Sequence, residues 1–160
     1  MDPRIRPSRA EDAAALLDLV DALADYEQLP RPDAAARDRL VADGFGDRPR
    51  FTLLMADADG GPVGYALFFE TYSSFLARPT LYLEDLFVLP AYRGRGLGLA
   101  LFRAVAAEAL RRGAGRLEWA VLTWNEPAID FYRALGGASL DDWRTFRITA
   151  DALPRVVEGA

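Results

Sequence analysis

The chain has 160 residues, 51% of them hydrophobic, carries a net charge of −5 and contains neither Cys nor His. Such a composition suits one folded domain with a sizeable core. It excludes a disordered chain, disulfides, thiolate nucleophiles and zinc sites built on Cys or His. The acidic balance argues against nucleic acid as the main partner, and no apolar run of the sequence is long enough to span a bilayer.

Acid–base chemistry is thereby left to Asp, Glu, Tyr, water or the substrate itself. All 19 basic residues are Arg. The start of the chain shows no signal-peptide pattern, because acids interrupt it before any apolar stretch, so the expected location is cytoplasmic. Acids crowd the first third, from Glu11 and Asp12 to Asp43 and Asp47. They either face solvent on helices or help attract a cationic small molecule.

In chain order, Ile5–Pro7 reads as a short first strand. Ser8, with Glu11 three residues on, reads as a capping box for a helix ending near Tyr26–Leu29. A second helix is predicted from Asp33 to Val41, stopping around Gly44. Phe51–Ala56 and Val63–Tyr72 read as a hairpin turned by Asp59-Gly60-Gly61, followed by a strand over Leu81–Leu89. Leu97–Arg112 has helical spacing and a glycine cap at Gly113. Arg116–Trp124 is predicted as a strand, Asn125 and Pro127 as the start of a short helix, and Trp143–Thr149 as a final strand. The order β, two helices, three strands, helix, strand, helix, strand implies an α/β chain folded as a single domain, residues 1–160, on a mixed sheet.

The chemistry concentrates in Leu81–Gly98, LYLEDLFVLPAYRGRGLG. Glu84 and Asp85 interrupt an apolar strand. Being adjacent on a strand, they are expected on opposite faces, with no close carboxylate pair unless a bulge intervenes. Arg93-Gly94-Arg95-Gly96-Leu97-Gly98 then leads into a helix, whose first backbone N–H groups are unpaired and suit phosphate oxygens. A nucleoside-triphosphate loop would need Gly-Lys-Ser/Thr, which is absent, and a dinucleotide fingerprint would need glycine where Leu99 stands. A flexible turn or a pyrophosphate loop of the form Arg-x-x-Gly-x-Gly remains.

Together with WNEPAIDFYRALGGASL, WRTFRI, LADYE and DGFGDRP, this stretch resembles the diamine (spermidine/spermine) acetyltransferase branch of the GNAT superfamily of N-acetyltransferases, including its thialysine-acetylating relatives. The resemblance spans almost the whole chain. It implies a GNAT-type fold, a mixed and mostly antiparallel sheet flanked by helices. It also implies transfer of acetyl from acetyl-CoA to a primary amine of a small cationic substrate, directly in a ternary complex. No metal is implied, nor is a nucleic-acid or membrane partner, and the family is usually a homodimer.

By the same resemblance, backbone groups of Leu86, Phe87 and Val88 hold the pantetheine arm. Arg93, Gly94, Arg95, Gly96, Leu97, Gly98 and Leu99 surround the pyrophosphate. Asn125, Glu126, Pro127 and Ala128 line the cofactor, and Tyr132 lies near the thioester sulfur. Tyr26, Glu27, Glu84 and one of Asp141 or Asp142 surround the amine; Asp85 serves either the substrate or a structural hydrogen bond. Glu84 is the expected base, acting through water, and Tyr132 the expected proton donor to the thiolate. Thr71-Tyr72 is followed by Ser73 and Ser74, where polyamine enzymes carry an acid and thialysine-type relatives tend to have Ser. A protein lysine or N-terminal acetyltransferase is an alternative activity, and a non-catalytic acyl-CoA sensor is an alternative class.

Overall fold

Strand β1 covers Ile5–Pro7, and the residue that decides where the first helix begins is Asp12. The computed structural model describes residues 2–159. The expected Ser8/Glu11 box does not form. A 3-10 turn, Ala10–Asp12, precedes α1, Ala13–Glu27, and the Asp12 carboxylate accepts the Arg9 backbone N–H at 2.7 Å. The same carboxylate takes both Arg6 guanidinium nitrogens, at 2.7 and 2.9 Å, while Arg6 also holds Asp57 at 2.6 Å. One buried acid thus ties β1, the start of α1 and the second strand together, which a surface box could not do.

Arg6 beside it holds the Asp12 carboxyl below the ordinary carboxylate range, against the opposing effect of burial. A depressed carboxyl contributes stability that is present above its unfolded pKa and lost as pH falls through its folded pKa. Asp12→Asn is therefore expected to cost about 2 to 3 kcal/mol at neutral pH, somewhat less than removal of one member of a fully buried pair. In urea unfolding the difference from the native chain should shrink below about pH 4. An equal difference at pH 7 and pH 3 would remove Asp12 from this role.

Helix α1 ends at Gln28, a left-handed residue with φ of 58°, and α2, Ala34–Phe45, is capped by Asp33, which accepts the Ala36 N–H at 2.7 Å. It ends at Phe45, next to the stop expected around Gly44. Much of the acidic first third is absorbed by ion pairs, Asp21 with Arg37 and Asp25 with Arg31 among them.

Strands β2, Thr52–Ala58, and β3, Gly61–Ser73, form the expected hairpin. Its turn puts Asp59 and Gly60 at φ of 50° and 89°, the mirror-image turn that matches strand twist. Strand β4, Arg78–Val88, pairs antiparallel with β3, and β5, Arg116–Trp119, pairs parallel with β4. The sheet order is β1-β2-β3-β4-β5. Helix α3, Leu97–Arg111, supplies the crossover between the parallel strands.

One sheet face carries Leu53, Met55, Tyr65, Leu67 and Phe87, packed with Leu16 and Leu19 of α1. The alternate residues face the other way and include Leu54, Ala66 and Phe68; α3, which buries Leu97, Leu101 and Val105, packs against the sheet as well. At the start of α3's sheet-flanking path, Trp119 meets Phe102 edge-on at 5.3 Å.

The chain divides into two compact units, with the division between Ala120 and Val121. The second holds α4, Glu126–Ala134, and α5, Leu153–Glu158, the latter not expected from the sequence. Two strand expectations are corrected here. The strand at Arg116 stops at Trp119 rather than Trp124, and Trp143–Thr149 joins no ladder. Alternation makes a segment competent for a sheet, but a strand exists only with a neighbour to take its N–H and C=O groups. Among the described residues this stretch has no ladder partner, and Trp143, Phe146 and Ile148 are 77%, 90% and 56% exposed.

Candidate active site

Strand β4 outruns its parallel partner. β5 pairs with it only over Thr80–Leu83, so among the described residues no strand pairs with that edge of β4 from Glu84 to Val88. The Leu89 N–H bonds the Val63 carbonyl of β3 at 2.9 Å. Alternation then turns the N–H groups of Leu86 and Val88 to the unpaired edge, and those of Phe87 toward Tyr65 on β3. Of the three residues expected to offer backbone to a pantetheine arm, Leu86 and Val88 turn their N–H groups to the unpaired edge and Phe87 turns its own into the ladder.

The glycine turn follows a 3-10 turn, Pro90–Tyr92. Gly94 and Gly96 have φ of 73° and 80°, which side-chain-bearing residues rarely adopt, and Gly96 is the N-cap of α3. Around Gly98, in the first turn of α3, a Cβ would meet nothing within 4 Å, so space lies open in front of these helix N–H groups. Leu97 is buried and anchors the turn.

The two arginines of this turn behave differently. Arg93 donates to the Val88 carbonyl through Nε at 3.0 Å and stacks on the Tyr26 ring, 4.4 Å from its centroid. Its guanidinium thus links the end of β4 to the end of α1, beside the expected pyrophosphate loop. Arg95 lies exposed over Tyr92 at 4.9 Å.

The acids come together through a β-bulge. Leu67 pairs with Asp85, but the next β3 residue, Phe68, pairs with Leu83, and Glu84 is skipped. Since Leu67 and Phe68 point to opposite faces, so do Leu83 and Asp85, and Glu84 joins Asp85 on the α1 face. This corrects the expectation of opposite faces, which assumed an unbroken strand.

Asp85 accepts a hydrogen bond from the hydroxyl of Tyr65, a fully buried residue, at 3.0 Å. Burial first, then the charges of Glu84 and Glu27, push Asp85 up to about 6, while the Tyr65 bond acts the other way. Burial also raises Glu27, at the end of α1. The Tyr65 phenol is driven well above its ordinary value by burial and by Asp85, so it remains a donor. Among the described residues, Glu27, Glu84 and Asp85 make no salt bridge to any Arg.

Tyr65 is the residue that the sequence left unremarked. Its signal was a phenol in the apolar run VGYALFF, where a buried hydroxyl needs a partner.

In the second unit Asn125 caps α4, accepting the Ala128 N–H at 3.4 Å, with Glu126 and Pro127 in the first turn. Tyr132 stands on α4 beside Phe131, ring centroids 5.2 Å apart, and burial pushes its phenol up to about 12. Asp141 and Asp142 lie exposed in a turn.

A strand edge with free donors leading to open helix N–H groups suits an extended, phosphorylated ligand. Three acids without an Arg partner among the described residues, on the same strand and the helix beside it, suit a cation. The acetyltransferase (GNAT) family model matches residues 16–136, and the chain belongs to that family. It is 39% identical to the thialysine N-epsilon-acetyltransferase of Bos taurus, over 93% of this chain and 94% of that protein. It is 32% identical to the human spermidine/spermine N(1)-acetyltransferase-like protein 1, over 94% of this chain and 23% of that protein. Among solved structures, an integron cassette protein from the mobile metagenome of V. cholerae shares the fold, with a TM-score of 0.79 at 22% identity over 96% of both chains. The chain is an N-acetyltransferase. No described helix is long and apolar enough to cross a membrane.

Proposed function

We propose that this enzyme transfers acetyl from acetyl-CoA to a primary amine of a small cationic substrate, a diamine or a thialysine- or lysine-like amino acid. The observation that carries the substrate class is the trio Glu27, Glu84 and Asp85, left without an Arg partner among the described residues of a chain with 19 Arg. A cationic substrate would complete the charge balance. The names of the relatives, thialysine and spermidine/spermine acetyltransferases, support the same class.

The residues present fit acetyl-CoA. The Leu86 and Val88 N–H groups suit the amides of its arm, and the space before Gly98 suits its pyrophosphate. When bound, this co-substrate supplies the activated acetyl thioester. An alkylammonium near its ordinary pKa of about 10.4 must shed a proton before its nitrogen attacks. Glu84, exposed on the bulge, delivers that proton to water. A strand N–H stabilises charge developing on the carbonyl oxygen. Tyr132 is the proposed donor to the departing thiolate, and burial keeps its phenol in the protonated form that a donor needs. Transfer is direct, within a ternary complex. Asn125, Glu126, Pro127 and Ala128 are proposed cofactor contacts; Tyr26 and one of Asp141 or Asp142 are proposed substrate contacts. We take both units as parts of one domain, and the enzyme as a cytoplasmic homodimer. Exposed Trp143, Phe146 and Ile148 give the dimer an apolar surface.

The test is acetyl-CoA turnover against a panel of diamines, polyamines, thialysine, lysine and lysine-containing peptides. Small amines with two cationic groups should be acetylated with the highest kcat/KM. Turnover confined to peptides would move the substrate to proteins, and coenzyme A binding without turnover on any arm would make the chain a sensor.

A further inference from the structure

The bulge presents two carboxylates to the same face, and they are not equivalent. Glu84 is exposed and makes no hydrogen bond to another described residue. Asp85 lies further in, and one of its oxygens, Oδ2, is occupied by the Tyr65 hydroxyl at 3.0 Å. We propose that Asp85, held by Tyr65, is the group that first accepts the proton leaving the substrate ammonium, with Tyr65 as its positioning residue and Glu84 as the outer group that returns the proton to water. This rests on the amine-acetylating function proposed above.

The hydrogen bond orients the carboxylate. With Oδ2 engaged, Oδ1 is the oxygen left to receive an N–H. The ammonium N–H bond breaks and its proton goes to Oδ1. The freed nitrogen pair forms the bond to the thioester carbonyl carbon, the carbon–sulfur bond breaks, and the sulfur leaves as thiolate; it takes a proton from the phenol donor, which is restored by the second proton that the nitrogen loses on becoming an amide. The Asp85 proton then passes outward past Glu84.

A base works best when its pKa approaches the working pH, and Asp85, at about 6, is closer to it than an ordinary carboxylate. The groups facing it from each packed element are Tyr65 on β3, Glu84 on its own strand and Glu27 on α1. Both acids raise it and only Tyr65 lowers it. Tyr65 therefore favours the ionised form of Asp85 in a place where burial favours the protonated one. Tyr65 contributes a single polar atom to an otherwise apolar cluster with Leu53, Met55 and Leu67, and the Tyr65→Phe change removes only that atom.

The experiment is the pH dependence of kcat/KM with a small primary diamine for the native enzyme, Tyr65→Phe, Asp85→Asn and Glu84→Gln. The native rate should fall on the acid side with a midpoint near 6, because below it Asp85 is protonated and cannot accept. Tyr65→Phe should move that midpoint up by about one pH unit, the loss of one hydrogen bond to a charged group. Asp85→Asn should abolish the acid limb and lower the rate at least about 100-fold. Glu84→Gln should lower the rate but keep the midpoint.

An unmoved midpoint in Tyr65→Phe, or an acid limb surviving in Asp85→Asn, overturns the inference while leaving amine acetylation intact. Absence of turnover on every amine overturns both. Carbon-13 titration of the aspartate carboxyls of the native protein reads the same point without a substitution. One aspartate titrating near 6 is expected, and all of them titrating below about 5 overturns the assignment.

Discussion

Gly98→Leu leaves the fold at least as stable as the native chain and raises the dissociation constant for coenzyme A about 100-fold. The two effects separate because of where Gly98 stands. It lies in the first turn of α3, and a Cβ there meets nothing within 4 Å. Replacing a helical glycine removes a backbone-entropy cost of about 0.5 to 1 kcal/mol, so the melting temperature should hold or rise. The same open space is where phosphate oxygens would reach the helix N–H groups, and a Leu side chain would fill it. Loss of one or two charge-assisted hydrogen bonds, about 3 kcal/mol, corresponds to about 100-fold in affinity. Thermal melting and calorimetric titration with coenzyme A check the pair. Unchanged affinity in a stable Gly98→Leu protein would place the pyrophosphate elsewhere.

Tyr132→Phe lowers kcat about 100-fold while coenzyme A affinity stays within about twofold. The expected loss is the lower end of the contribution of a positioned proton donor. Burial pushes the Tyr132 phenol up to about 12, which fixes the sign of its pH dependence. A donor must be protonated, and this one remains so until pH approaches 12. The native enzyme should therefore show no alkaline loss of kcat from Tyr132 between pH 7 and about pH 10. Steady-state kinetics across that range, with calorimetry for binding, are the measurements. A native kcat in Tyr132→Phe would take the residue out of proton transfer.

The carboxylate trio shows how far pattern alone reaches. LEDLFV read as a strand carrying two acids, and it is one. Strand alternation put the acids on opposite faces, since side chains alternate with a period of two. The bulge removes one count from that alternation, and nothing in LEDLFV marks it. It is visible only in the register against β3, where Phe68 pairs with Leu83 and Leu67 with Asp85. Partner register is a non-local property, so the grouping of Glu27, Glu84 and Asp85 around Tyr65 could not be read from β4 by itself.

Trp143–Thr149 gives the converse case. Its alternation is as good as that of strands that formed, and it joins no ladder among the described residues. The Ser8/Glu11 box likewise fits the local rule, yet Asp12 wins because it can reach Arg6, and through Arg6 the distant Asp57. Arg93, named for a pyrophosphate loop by its place before the glycines, also donates through Nε to the Val88 carbonyl and stacks on the Tyr26 ring, contacts that the sequence does not mark.

What the sequence by itself determined is what local chemistry carries. The Asp59-Gly60 turn, the positive-φ glycines before α3, the Asn125 cap, the absence of His and Cys, and the family motifs needed no neighbours to be recognised. What only the tertiary structure decided is what requires two strands or a strand and a helix at once. That includes the bulge, the strand edge left unpaired beyond Leu83, and a buried phenol whose hydroxyl finds Asp85 twenty residues away. The reason is physical: a pairing register, an edge and a buried hydrogen bond are properties of a contact, and a contact between distant residues exists only once the chain has folded.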